Sequence, residues 1–140
     1  MSAFNLQSAV VPVSGGASGL GLAIVRRLRD EGATPLLLDN DERRLAAAGM
    51  DVFGPNDASC CTYVVDVRDS RAIDACFGQI AADHGPATHA VASAGTIGPA
   101  NALNVTDEQW HRMIDVNLHG AMYFCRAQRD SVPSERRARS

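Results

Sequence analysis

Apolar residues fall into short unbroken runs, and amphipathic stretches separate those runs along most of the chain. Ala9-Val10-Val11-Pro12-Val13 has the length and branching of a buried strand. Leu20 to Glu31 predicts a helix with Leu20, Ile24 and Leu28 on one face and Gly32 as its stop. Leu36-Leu37-Leu38 predicts a second buried strand, ending at Asp39. Asp41 to Ala48 predicts a short helix closed by Gly49. Thr62-Tyr63-Val64-Val65 predicts a third strand, ending at Asp66. Asp69 is placed to cap a helix whose apolar positions Ile73, Cys76, Phe77 and Ile80 follow the i, i+3, i+4, i+7 rule. His89-Ala90-Val91-Ala92 predicts a fourth strand running into Ser93-Ala94-Gly95.

Thr106-Asp107-Glu108-Gln109 fits a capping box and starts the longest predicted helix, which reaches about Gln128. Trp110, Met113, Ile114, Leu118, Met122 and Phe124 spread over half of its circumference or more. A helix that apolar is covered on two sides. The sheet supplies one cover; a second subunit, or a further part of the protein, supplies the other.

Strand and helix alternate with run lengths suited to parallel pairing and right-handed crossovers. The expected fold class is therefore α/β, a doubly wound parallel sheet of the Rossmann type, cut off after the fourth strand and the long helix that follows it. Residues 1–128 form this portion. Residues 129–140 read as a disordered basic tail: from Arg126 to Ser140 there are five Arg against Asp130 and Glu135.

The 140 residues suit one domain, and 46% hydrophobic with 21% charged residues is the balance of a soluble globular protein. A net charge of −3 gives no electrostatic case for nucleic acid or an anionic membrane as partner. Cys60, Cys61, Cys76 and Cys125 contain no C-x-x-C pair, and His84, His89, His111 and His119 lack ligand spacing, so no metal site is expected. The absence of a signal-like segment favours the cytoplasm.

Ser14-Gly15-Gly16-Ala17-Ser18-Gly19-Leu20-Gly21 lies between the first strand and the first helix. Glycines there let the backbone turn tightly and let a pyrophosphate reach the unpaired N–H groups of a helix start. Asp39 ends the second strand, where an acid accepts hydrogen bonds from both ribose hydroxyls of an adenosine. It would also repel a 2′-phosphate, a like-charge contact costing several kcal/mol. The loop has no Arg or Lys and residue 40 is Asn, so the expected cofactor is NAD rather than NADP.

These residues resemble the short-chain dehydrogenase/reductase (SDR) family. Ser14–Gly21 is similar to its T-G-x-x-x-G-x-G loop, with Ser for Thr. Asp66-Val67 resembles its adenine-contacting pair. Ala92-Ser93-Ala94-Gly95 stands where the family has N-N-A-G, and only the last two residues match. Asn117, within Asp115-Val116-Asn117-Leu118-x-Gly120, resembles the helix Asn of the catalytic tetrad, which holds a water in the proton relay. The resemblance spans about residues 8 to 128. It implies that Gly15, Ser18, Gly19, Leu20 and Gly21 hold the pyrophosphate and Asp39 the ribose. It places Asp66 and Val67 at the adenine, with Ser93 and Gly95 near the cofactor through their backbones. The substrate class implied is a small alcohol or carbonyl compound.

The family's chemistry also needs a Ser that bonds the substrate carbonyl and a Tyr-x-x-x-Lys pair. All thirteen basic residues here are Arg. Tyr63 and Tyr123 are followed four residues later by Val67 and Ala127. The pair cannot be built from these residues, and Asn117 is the one catalytic-type residue left. Pro12 stands in what should be the central strand, where it removes a ladder hydrogen bond. The expected function is thus an NAD-dependent SDR oxidoreductase by descent, with cofactor binding kept and catalysis absent from this chain alone. The alternatives are a non-catalytic nucleotide-binding module that dimerises through the helix at 106–128, so that a homo-oligomer is a candidate partner, and a truncated fragment with no function.

Overall fold

β1 (Val10–Ser14) is buried at all five positions, which places it inside the sheet. The computed structural model describes residues 6–98 and 101–132. β1 pairs with β2 (Thr34–Asp39) in a register running from Val10↔Thr34 to Ser14↔Leu38. β3 (Thr62–Val64) adds to the far side of β2, and β4 (Val91–Ala92) to the other side of β1. All pairings are parallel and the strand order is β3-β2-β1-β4.

Side chains alternate across each strand, so this sheet has two apolar faces. Val11, Val13 and Leu37 point to one face. There they meet Val25 of α1 (Gly19–Asp30) and Leu45, Ala48 and Val52 of α2 (Glu42–Phe53). Val10, Leu36 and Leu38 point to the other. There they meet Ile73, Phe77 and Ile80 of α3 (Ser70–His84) and Phe124 and Ala127 of α5 (Ala121–Ser131). Phe77 and Phe124 meet edge to face with ring centroids 5.1 Å apart. Helices thus cover both faces of a parallel sheet, which is the doubly wound Rossmann arrangement.

Pro12 is accommodated by the sheet's asymmetry. The Val10 carbonyl accepts from the N–H groups of Thr88 (2.9 Å) and His89 (3.4 Å), so alternate positions 10, 12 and 14 turn their backbone toward β4. The missing N–H of Pro12 falls on that side, where the register holds only Val13↔Val91 and Ser14↔Ala92. Pairing with β2 is untouched. The fourth strand is accordingly shorter than the expected His89–Ala92.

Four other expectations change. Leu20 is 73% exposed; the inner face of α1 carries Gly21 and Val25 instead, because the first turn of α1 projects past the sheet. The second helix does not close at Gly49 but runs to Phe53 and stops at Gly54, with φ +79°. Gly49 serves close packing: a Cβ there would sit 2.8 Å from Cγ2 of Thr62. The long helix starts at the expected capping box but is not uniform. α4 (Asp107–Ile114) passes into a π turn, Asp115–Gly120, before α5. It also continues past Gln128 to Ser131, so the first three residues assigned to the basic tail are helical. Val132 follows as a bend, and the rest of that tail, residues 133–140, lies outside the described residues. Among the described residues no helix is long and apolar enough to cross a membrane.

Candidate functional site

The C-terminal ends of parallel strands open onto a crevice, and here the crevice lies where β1 separates β2 from β4. Its cavity of about 480 Å³ is lined by Gly15, Ser18, Gly19, Leu20, Gly21, Asp39, Asp66, Val67, Ser93 and Gly95. With Arg112 and Val116 on the long helix, five separate chain segments converge on one space. Asn117 does not line it.

The glycine loop joins β1 to α1. Gly15 has φ +64°, and a Cβ on it would come 2.9 Å from Cα of Ala94. A Cβ on Gly21 would run into the carbonyl of Gly15. The loop is thus folded back on itself and pressed against the segment after β4. Ser14 fastens that contact: its buried Oγ accepts from the N–H groups of Ser93 (3.1 Å) and Ala94 (3.2 Å). The Ser93 amide is spent on this bond, so Ser93 meets the cavity by its other atoms.

The start of α1 differs from the starts of α2, α3 and α4. Asp41, Asp69 and Thr106 cap α2, α3 and α4 through their side chains. Ser18, at the same position of α1, is extended and makes no side-chain cap, and the first turn holds no acid. Backbone donors and the positive end of the helix dipole therefore face the cavity without an internal anion. This is the local chemistry of a phosphate site.

Asp39, at the end of β2, is only 8% exposed. One of its oxygens accepts from the Asp41 N–H at 3.0 Å, which fixes the carboxylate at the rim of the cavity. Arg44 also lines the cavity, with Nη2 3.8 Å from Asp39 Oδ1 and Nε 3.0 Å from Asp41 Oδ2. Neither the glycine loop nor residue 40 announces it in the sequence. A helical cap brings residue 44 back beside residue 39.

Asp66 is engaged by its neighbour. Its oxygens accept from the Arg68 N–H (2.9 Å), from Nε (3.0 Å) and from Nη2 (2.6 Å). The Arg68 hydrogen bonds hold the Asp66 carboxyl below the usual carboxylate range. Arg112, from α4, also lines the cavity and adds positive charge near Asp66.

Asn117 lies in the π turn, and both ends of its amide are occupied. Nδ2 donates to the Thr96 carbonyl and Oδ1 accepts from the Thr96 N–H, each at 2.8 Å. Its side chain fastens the loop after β4 to the long helix. Neither tyrosine lines the cavity. Tyr63 donates to Asp83 at the outer strand, and burial, then that contact, push its hydroxyl pKa up. Tyr123 lies under the guanidinium of Arg126, 5.3 Å from the ring centroid.

Known proteins resemble this chain in sequence and fold. The short chain dehydrogenase family model matches residues 9–139, past residue 128, where the resemblance alone placed its end. A short-chain dehydrogenase/reductase of Pyricularia oryzae is 32% identical over 127 residues, covering 88% of this chain and 47% of the relative. A 3beta-hydroxysteroid dehydrogenase of Mediterraneibacter gnavus is 30% identical over 85% of this chain and 43% of its own length. The solved structure of a short chain dehydrogenase from Mycobacterium smegmatis superposes with a TM-score of 0.78 at 31% identity, covering 88% of this chain and 52% of that one. A short-chain dehydrogenase/reductase from Brucella melitensis, 23% identical, shares the fold with a TM-score of 0.81 over 91% of this chain and 54% of its own. The chain thus spans about half the length of the relatives it matches. The family-model match over residues 9–139 places the chain in the short-chain dehydrogenase/reductase family.

Proposed function

We propose that this chain forms the dinucleotide-binding part of an NAD-dependent oxidoreductase acting on an alcohol or carbonyl compound. The family's cofactors are nicotinamide dinucleotides, and the choice of NAD rests on one observation: the buried carboxylate of Asp39 stands at the rim of the cavity. There it would accept hydrogen bonds from both adenosine ribose hydroxyls and oppose a 2′-phosphate.

The remaining assignments follow the lining. The uncapped start of α1, with Gly15, Ser18, Gly19, Leu20 and Gly21, would hold the pyrophosphate. Val67 would meet the adenine ring through its backbone. Asp66 would reach the adenine amino group only by sharing its oxygens with Arg68. When bound, the cofactor supplies or accepts the hydride. The residues described here bind and orient it. No Tyr-x-x-x-Lys pair occurs in the 140 residues, so proton transfer to the substrate falls to groups this sequence does not contain. The chain by itself should bind a dinucleotide and not turn it over.

A second reading, a non-catalytic module that pairs through its long helix, is favoured by the exposure of Trp110, Leu118 and Met122 along that element. Titration with NADH, beside a turnover assay on a panel of secondary alcohols, tests the proposal. NADH binding that falls roughly tenfold or more in Asp39→Ala, with no turnover, is the expected result. Turnover by this chain would refute the inactive-half reading. Failure to bind NADH would refute the dinucleotide site.

A further inference from the structure

Cys60 and Cys61 lie on the turn Ser59–Cys61 that leads into β3, and neither lines the dinucleotide cavity. Adjacent side chains on a turn of three residues leave the backbone about 120° apart. The two sulfurs nevertheless approach to 3.7 Å. The turn that carries them is pinned on both sides. Nε2 of His84 donates to the Cys60 carbonyl at 2.8 Å, and the Thr62 hydroxyl donates to the Ala58 carbonyl at 3.0 Å. Cys60 is exposed, whereas Cys61 is only 7% exposed. A reagent from solvent therefore meets the first sulfur directly and the second only by way of the first.

We infer that Cys60 and Cys61 form a two-sulfur site for a trivalent arsenical, an electrophile that bonds both sulfurs at once. The spacing selects this occupant. A disulfide needs its sulfurs about 2.05 Å apart, far closer than the 3.7 Å here. An atom bonded to both sulfurs at about 2.3 Å, the length of a thiolate–metal bond, holds them about 3.3–3.8 Å apart for bond angles from about 90° to tetrahedral. The observed spacing lies inside that range. A tetrahedral metal ion would need further ligands, and among the described residues no group of three or more His, Cys, Asp or Glu is placed to hold one. An arsenical R–As=O asks for two sulfurs only. The Cys60 thiol adds across As=O, forming one As–S bond and an As–OH group. The Cys61 sulfur then bonds the arsenic, the As–O bond breaks, and the hydroxide leaves with the Cys61 proton as water. Two S–H groups and one As=O become two As–S bonds and one water, with no change of oxidation state. The second step is intramolecular, so the burial that shields Cys61 from free reagents does not prevent it.

The test is incubation of the full chain with phenylarsine oxide in the presence of excess glutathione, read by native mass spectrometry and peptide mapping. It compares the unmutated protein with Cys60→Ser, Cys61→Ala and Cys125→Ser, and a thermal denaturation curve for each checks that it folds. The expected result is one arsenical retained per chain, mapped across residues 60 and 61, resistant to glutathione and released by 2,3-dimercaptopropanol. Cys60→Ser and Cys61→Ala each leave a single As–S bond, so retention against glutathione should fall roughly hundredfold or more, while Cys125→Ser should stay within about twofold. Cys60→Ser changes an exposed side chain and keeps the test sound if Cys61→Ala fails to fold. No adduct retained against glutathione, retention unchanged in Cys60→Ser, or an adduct mapped to Cys76 or Cys125 would each overturn the inference.

Discussion

Asn117 and Thr96 hold each other by two reciprocal hydrogen bonds of 2.8 Å, side-chain amide to backbone N–H and carbonyl. The pair joins the π turn of the long helix to the segment that leaves β4. A π turn holds an extra residue per turn and is a recurrent feature of functional sites. Here it sets Asn117 opposite Thr96, which itself lines the cavity beside Gly95. Asn117→Ala removes both bonds and should destabilise the chain by about 1–2 kcal/mol, since the pair is solvent-exposed. Asn117→Asp keeps the acceptor and loses the donor to the Thr96 carbonyl, so its loss should be intermediate or larger. Urea denaturation measures this. An Asn117→Ala midpoint equal to that of the unmutated chain would mean that the clamp contributes nothing.

Ser14 supports the same region from below. Its Oγ is the acceptor for two backbone N–H groups, those of Ser93 and Ala94, and the residue is buried. Ser14→Ala leaves two donors without that acceptor and should destabilise by about 2 kcal/mol or more. Ser14→Thr keeps the oxygen and should come close to the original stability. Hydrogen exchange gives a local readout: the amides of residues 93 and 94 should lose protection in Ser14→Ala and keep it in Ser14→Thr. Unchanged exchange in both variants would contradict the assignment.

Much of this site is legible in the chain because its parts are local. Glycines at 15, 19 and 21 follow an apolar run and precede a helical one, so strand, loop and helix start can be read together. Asp39 and Asp66 each close an apolar run, which marks the crevice end of a parallel strand. Contacts across the fold are less visible. Arg44 reaches Asp39 only because Asp41 turns the chain into a helix. The clamp from Asn117 to Thr96 spans 21 residues, and no pattern in Asp115–Gly120 announces a π turn. Gly49 has the residue type of a helix stop, yet its role comes from Thr62 on the neighbouring strand. Leu20 follows the helical period but sits on a turn that has no sheet beneath it. Periodicity reports which face is apolar, not how far the partner surface extends.

Asp66 and Arg68 give the site a pH dependence with a definite sign. The Arg68 hydrogen bonds lower the Asp66 pKa below its ordinary 3.8. A carboxylate depressed in the folded state contributes stability above its unfolded pKa, and that contribution disappears as pH falls through the folded value. Arg68→Ala should return the Asp66 titration toward 3.8 and move acid unfolding to slightly higher pH. The stability involved is under about 1 kcal/mol, because the pair is partly solvated. Carboxyl NMR titration resolves it: an Asp66 midpoint that does not rise in Arg68→Ala would rule out the Arg68 bonds as the cause.

The four cysteines divide by environment rather than by sequence. Cys60 and Cys125 are exposed, Cys61 is buried and Cys76 is half-buried. Burial, reinforced by Cys60, pushes the Cys61 thiol up to about 12. Burial alone pushes the Cys76 thiol up to about 12. Alkylation needs the thiolate, and at pH 8 these two hold almost none. Iodoacetamide on the folded chain should therefore modify Cys60 and Cys125 first, with Cys61 and Cys76 reacting only after denaturation. Cys60 and Cys61 are adjacent, their sulfurs 3.7 Å apart, so peptide mapping must assign the label within that pair. Comparable labelling of Cys61 and Cys60 under native conditions would show that the turn at Ser59–Cys61 opens readily, and that the packing beneath the outer strand is looser than its buried residues imply.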